Sequence, residues 1–315
     1  MKYLKVNITL VAIALTALLA AVSFETRTGR GQTQTPQNES RVKTTMLKTS
    51  DGGNSAIENT TKGSDFTSPA ARNTVLRNDL AWTFGGKHQR GWYLYTALIG
   101  RLLNTDADAS SSSFAAELAK WQRQTALKPT GVLDEDSLNA MVSEWQHSRL
   151  KNRTYAQPDQ LLTAPSSDFY DPQRLENLRQ VERDTYAAYK RMLAAAIADP
   201  SLGLAHTSGA ELAPTEKYLK ILSAFRPREY QEQLRRQSPK AGSAGLAVNS
   251  PHFTGRALDL YVGGDPVDTK DSNRAIQVQT PVYRWLVRNA ERFGFRPYYY
   301  EPWHWEYVGT AGSRQ

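Results

Sequence analysis

Two stretches far apart in the chain constrain its fold more than any others: Ser250-Pro251-His252-Phe253-Thr254-Gly255-Arg256-Ala257-Leu258-Asp259, and Glu301-Pro302-Trp303-His304. In the first, residues 256–262 alternate as a buried strand, with Leu258, Leu260 and Val262 on one face and Ala257, Asp259 and Tyr261 on the other. Asp259 therefore projects away from the apolar side. His252 stands just before this strand, in a turn that Gly255 permits, and folds back toward Asp259. In the second stretch Trp303, Trp305 and Tyr307 alternate with His304, Glu306 and Val308, which again reads as strand. Pro302 cannot donate to a ladder and restricts Glu301, so a bend brings Glu301 round beside His304.

Two imidazoles and a carboxylate, from His252, Asp259 and His304, suit one Zn²⁺ with the fourth tetrahedral position left to water. The chain has five histidines, at 88, 147, 206, 252 and 304, and these two sit in matched contexts. A structural zinc site fills all four positions with protein groups, whereas three ligands beside a free carboxylate point to hydrolysis. Glu301 is the candidate general base. Glu306, two residues past His304 on the same strand face, is its rival, and its other roles are to orient a ligand or to stand as a solvated carboxylate.

These residues carry a resemblance. Ser-x-His-x-x-Gly-x-Ala-x-Asp, followed some forty residues later by Glu-x-Trp-His, resembles the zinc D-alanyl-D-alanine carboxypeptidases of the VanY type, within the wider LAS peptidases. Upstream, Ser223-Ala224-Phe225-Arg226-Pro227-Arg228-Glu229-Tyr230-Gln231 resembles that family's Ser-Gly-Tyr-Arg-Ser-x-x-x-Gln element. Over residues 215–309 the resemblance implies zinc on His252, Asp259 and His304, Glu301 as base, and Arg226 as an electrophilic or substrate-binding arginine. A guanidinium suits a developing oxyanion or a substrate carboxylate. The resemblance also supplies the substrate, a cell-wall peptide cut at a terminal D-Ala-D-Ala bond, with Ser250 and Gln231 as candidates for holding it.

With 315 residues and 40% hydrophobic content the chain has room for two modest domains. Cysteine is absent, which excludes disulfides and thiolate zinc and is compatible with export. The net charge of +8 favours anionic surroundings. It is spread rather than clustered and no recognition motif accompanies it, so the reading is an acidic wall polymer and no nucleic acid.

Residues 1–23 read as a signal peptide: Lys2 and Lys5, an apolar run from Ile8 to Val22, and small residues at Ala21-Val22-Ser23. The apolar run is short for a spanning helix, so cleavage is expected, with membrane contact only through this segment if it is retained. The catalytic part is thus placed in the periplasm or cell envelope. Residues 24–75 are polar and read as a disordered tether.

Residues 76–150 read as a small helical module, with Trp92, Tyr95, Leu98, Ile99 and Leu102 at helical spacing and Asp134 capping a helix that carries Leu138, Met141 and Trp145. Phe114 to Met141 resembles the second half of three-helix peptidoglycan-binding domains, which leaves glycan binding and a structural prodomain both open. Residues 151–214 read as a linker and a long helix starting at Asp171-Pro172. Residues 215–315 form the catalytic unit, with Arg228–Gln237 as helix, 238–249 as a mobile cleft wall, 263–279 as polar turns, and a helix from Val282 stopped by Gly294.

The fold expected is therefore α+β: a zinc peptidase domain with a small antiparallel sheet flanked by helices, preceded by a small three-helix module. Three alternatives stand beside carboxypeptidase. One is a peptidoglycan endopeptidase of the same fold. Another is a non-catalytic wall-binding protein. The third is a serine D,D-peptidase, for which Ser148-Arg149-Leu150-Lys151 matches Ser-x-x-Lys, but neither Ser-Asp-Asn nor Lys-Thr-Gly completes the set.

Overall fold

The sheet that the two stretches build has four antiparallel strands, in the order β5 (Ile221–Ser223), β6 (Ala257–Leu260), β8 (Glu301–Tyr307) and β7 (Phe295–Tyr298). In the computed structural model the described residues are 65–209, 211–237 and 247–309, all within one compact unit spanning Thr61–Gln315. Every residue of β6 and β8 is buried, so both faces of the central pair are covered. Leu258 and Leu260 are fully buried, each contributing roughly 1.5–3 kcal/mol of transfer free energy. Asp259 lies between them and, by the two-residue period of a strand, points to the opposite face.

Around this sheet, among the described residues, lie eight α-helices: α1 (Thr67–Asp79), α2 (Thr96–Leu103), α3 (Ser112–Gln124), α4 (Glu135–Ser148), α5 (Arg183–Ile197), α6 (Arg228–Gln237), α7 (Asp271–Gln279) and α8 (Pro281–Asn289). Two small hairpins complete the fold, β1 (Ala81–Phe84) with β2 (Lys87–Arg90), and β3 (Leu161–Thr163) with β4 (Gln180–Glu182). None of the described helices is long and apolar enough to cross a membrane. The segment read as a signal peptide, most of the stretch read as a tether, and residues 238–246 of the expected cleft wall lie outside the described residues.

The helical module contains α2, α3 and α4, and Asp134 caps α4 by accepting from the Ser137 amide at 2.9 Å. The tether ends earlier than residue 75, because α1 already begins at Thr67. Besides the buried Ala70, a buried amide ties α1 down: Asn73 donates to the Gly131 carbonyl and accepts from the Leu133 amide, both at 2.8 Å. A polar residue at the packing face leaves no apolar periodicity to read.

Two further expectations are corrected. The long helix does not start at Asp171-Pro172 but at Arg183, with Glu182 accepting from the Thr185 amide at 2.8 Å. Asp171 instead caps a local turn through the Gln173 amide, Leu175 is exposed, and Val181 sits in β4. The polar stretch 263–279 ends in a true helix, α7. Its inner face is polar, with Asn273, Arg274 and Gln277 buried and bonded to the backbone carbonyls of Asp265, Tyr300 and Gly263.

Module and sheet share an aromatic seam. Tyr95 and Trp145 pack on Tyr299, and Phe84 packs on Tyr299 and Tyr300. All three tyrosines of Tyr298-Tyr299-Tyr300 are buried, so they serve packing.

Candidate metal centre

Strand register brings the donors together. Asp259 on β6 pairs directly with His304 on β8 and, on its other side, with Ser223 on β5. His252 arrives from a 3-10 turn, Pro251–Thr254, whose first amide is capped by the Ser250 hydroxyl and whose exit is Gly255 at φ +67°. A side chain at Gly255 would meet the Glu182 backbone at 2.9 Å, so the turn has to be glycine for reasons of space as well as φ.

His252 Nε2 lies 3.3 Å from Asp259 Oδ2, and His304 Nδ1 lies 2.8 Å from Asp259 Oδ1. One donor atom from each of the three residues falls within 4.8 Å of the other two, and all three residues are buried. Tetrahedral zinc with bonds of about 2.0–2.1 Å spaces its ligands roughly 3.3 Å apart, so the donor set fits zinc with little rearrangement.

The far nitrogen of each imidazole is also held. His252 Nδ1 faces the Ala224 carbonyl at 2.7 Å, which can only accept, so the proton is on Nδ1 and the lone pair on Nε2 points to Asp259. Burial, helped by Arg226, pushes this histidine down to about 4 and keeps it neutral. Burial works against His304 too, but the carboxylates of Asp259 and Glu306 outweigh it and raise it to about 9. His304 Nε2 meets Glu306 Oε1 at 3.2 Å. Without metal, His304 is thus an imidazolium between two carboxylates, and zinc would displace its Nδ1 proton. Asp259 resists burial's upward push through His252 and Arg226 and stays well below the carboxylate range.

Glu301 opens β8, buried to 8% exposure, and desolvation raises it to about 7 despite the charges of His304 and Arg226. Glu306 is fully buried and, against desolvation, is held down at about 2 by His304 and Arg149. The two carboxylates that rival each other in the sequence are thus pushed apart, one poised to exchange a proton near neutrality and the other permanently charged.

Arg226 donates Nη2 to Asp259 Oδ2 at 2.5 Å and Nε to the Ser223 hydroxyl at 2.9 Å. Gln231 is buried and bridges Arg226 Nη1, at 3.4 Å, to the Ala247 carbonyl, at 3.1 Å. Ser250 and Gln231 therefore engage the site's own framework. His206 is exposed against the Thr207 carbonyl, away from the donor group. A groove of about 720 Å³ lies elsewhere, lined by Arg77, Arg101, Arg284 and Arg288, and holds none of the donors. What sequence reasoning missed is Arg149 and the Leu150 amide, which both reach Glu306 and have no motif to announce them.

Fold and site together suit a metal-dependent hydrolase: an antiparallel sheet presenting two histidines and an aspartate that could hold a metal ion, with the buried Glu301 opening the same strand as His304. Residues 179–310 match the family model described as VanY, D-alanyl-D-alanine carboxypeptidase. The match begins well before residue 215, taking in β4 and α5. Among solved structures the chain is similar to a Zn(II)-bound mutant of the vancomycin-resistance D,D-pentapeptidase VanY from a VanB-type cassette, at 21% identity over 52% of this chain and 89% of that one, TM-score 0.31. It is also similar to VanYB in complex with D-alanine-D-alanine, at 24% identity over 44% and 76% of the two chains, TM-score 0.27. No curated protein matches the chain.

Proposed function

We propose that this protein removes the terminal D-alanine from peptidoglycan stem peptides ending in D-Ala-D-Ala, and that it does so outside the cytoplasm. The observation that carries the reading is the convergence of His252, Asp259 and His304 beside a glutamate held near neutrality, within a segment matching the VanY family.

In this reading His252 Nε2, the Asp259 carboxylate and His304 Nδ1 hold Zn²⁺. Zinc bound there supplies Lewis acidity, polarising a carbonyl and lowering the pKa of water. Glu301 takes the proton of the attacking water and passes it to the leaving amine, a task for which a carboxyl near 7 is matched. Arg226 keeps Asp259 charged and oriented, and its positive charge favours the oxyanion that develops at the scissile carbonyl. Buried walls around these groups strengthen each electrostatic interaction. Export rests on the Met1–Ser23 segment, with its basic start and apolar run. The helical module, 76–150, precedes a linking segment and the catalytic unit.

Mass spectrometry of defined muropeptides tests this. Pentapeptide stems should lose a single D-alanine, and chelator should stop the loss. Cleavage of cross-links with terminal residues intact would instead make the protein an endopeptidase. Retention on purified peptidoglycan with no released amino acid would make it a binder.

A further inference from the structure

The metal centre is wired to the helical module. Arg149, the residue after α4, donates Nε at 3.1 Å and Nη2 at 2.5 Å to Glu306 Oε1, and the Leu150 amide donates to Glu306 Oε2 at 2.9 Å. The guanidinium is itself fixed, stacked 3.9 Å over the Tyr298 ring and donating Nη1 to Gln146 Oε1 at 2.8 Å. Both partners are secluded, Arg149 with 11% of its side chain exposed and Glu306 with none. Glu306 in turn contacts the ring nitrogen of His304 that faces away from Asp259. Each link is a charge-assisted contact in a dry setting, where an unpaired carboxylate is not tolerated.

We propose that Arg149 is a positioning residue of the metal centre, acting through Glu306 to fix the ring orientation of His304 and its presentation of Nδ1. This rests on the zinc-peptidase reading. It makes the helical module part of the enzyme's metal site, because Arg149 and Leu150 lie outside the segment that matches the family, 179–310. The Ser148-Arg149-Leu150-Lys151 tetrapeptide thereby has a use unrelated to serine chemistry. Ser148 and Lys151 turn back to the carbonyls of Trp145 and Gln146, while the two residues between them reach the strand. The pattern is that of an outer-sphere carboxylate anchoring a ligating histidine, here with the anchor itself held by another part of the chain.

The test uses the full-length protein and zinc alone, with the dissociation constant read by competition against a chromophoric chelator. Arg149→Ala should weaken zinc binding about 10- to 100-fold, with Arg149→Lys recovering part of the loss, and the absorption spectrum of the cobalt-substituted protein should shift. At saturating zinc the activity of Arg149→Ala should return most of the way, since the residue touches no reacting atom. If Arg149→Ala does not fold, the double variant Arg149→Met, Glu306→Gln removes both charges at similar volume and should show the same weakening. Zinc affinity within twofold of wild type in a folded variant overturns the proposal and leaves the peptidase reading standing. A wild-type protein that binds no zinc overturns both.

Discussion

The two arms that meet at the metal centre are built differently. On the β6 arm, His252 and Asp259 are secured by neighbours close in sequence or just past the end of the adjacent strand β5: the Ala224 carbonyl, Arg226 and the Ser250 cap. On the β8 arm, His304 is secured by Glu306, which depends on Arg149 and Leu150, more than 150 residues earlier in the chain. One backbone carbonyl fixes the tautomer of His252, and a chain of charges anchors His304. A neutral anchor leaves His252 ready to coordinate at any ordinary pH, whereas the charged anchor makes His304 bind a proton that metal must displace.

The largest effect tests whether the arms are equal partners. His252→Ala and His304→Ala should each abolish measurable zinc binding and reduce hydrolysis to background, read by metal analysis after dialysis and by D-alanine release. Zinc retained by either variant at wild-type stoichiometry would break the comparison at its root.

Glu301 begins the β8 arm without holding it. Glu301→Gln should lower kcat about 10²- to 10⁴-fold while zinc content stays unchanged. Loss of zinc together with activity would assign Glu301 to the holding machinery, and full activity would put the base elsewhere.

A smaller effect separates the arms by pH. The raised His304 favours the metal-free fold fully below its ordinary 6.5, and that contribution is lost as pH rises through about 9. Zinc competes with the same proton, so its affinity should climb by up to about tenfold per pH unit from 6.5 to near 9 and then level off. The β6 arm, with His252 at about 4, would level off far earlier. Chelator-competition titrations across this range show which arm sets the limit.

The smallest effect concerns the module alone. Asp134→Ala removes the α4 cap and should cost about 1 kcal/mol in stability, seen as a lowered melting temperature, with zinc affinity unchanged. A matching fall in zinc affinity would mean that α4 as a whole, rather than Arg149 at its end, tunes the β8 arm.

Much of this was legible in the chain. The alternation around Asp259 and His304 announces two strands, Gly255 and Gly294 mark the turns before β6 and β7, and Asp134 caps α4 as expected. Elements whose inner faces are polar escaped detection. Helix α1 is held by Asn73 and α7 by Asn273, Arg274 and Gln277, so neither shows apolar periodicity. The apolar run from Leu175 misled in the opposite direction, since Leu175 faces solvent and Val181 belongs to a strand.

The sequence by itself determined which side chains could share a metal ion, His252, Asp259 and His304, because strand alternation and turn residues are local. Tertiary structure alone pushed the proton affinities of Glu301 and Glu306 apart and brought Arg149 against Glu306. A carboxylate's proton affinity depends on what surrounds it, and for Glu306 that surrounding is supplied by a residue remote in the chain that only folding brings into contact.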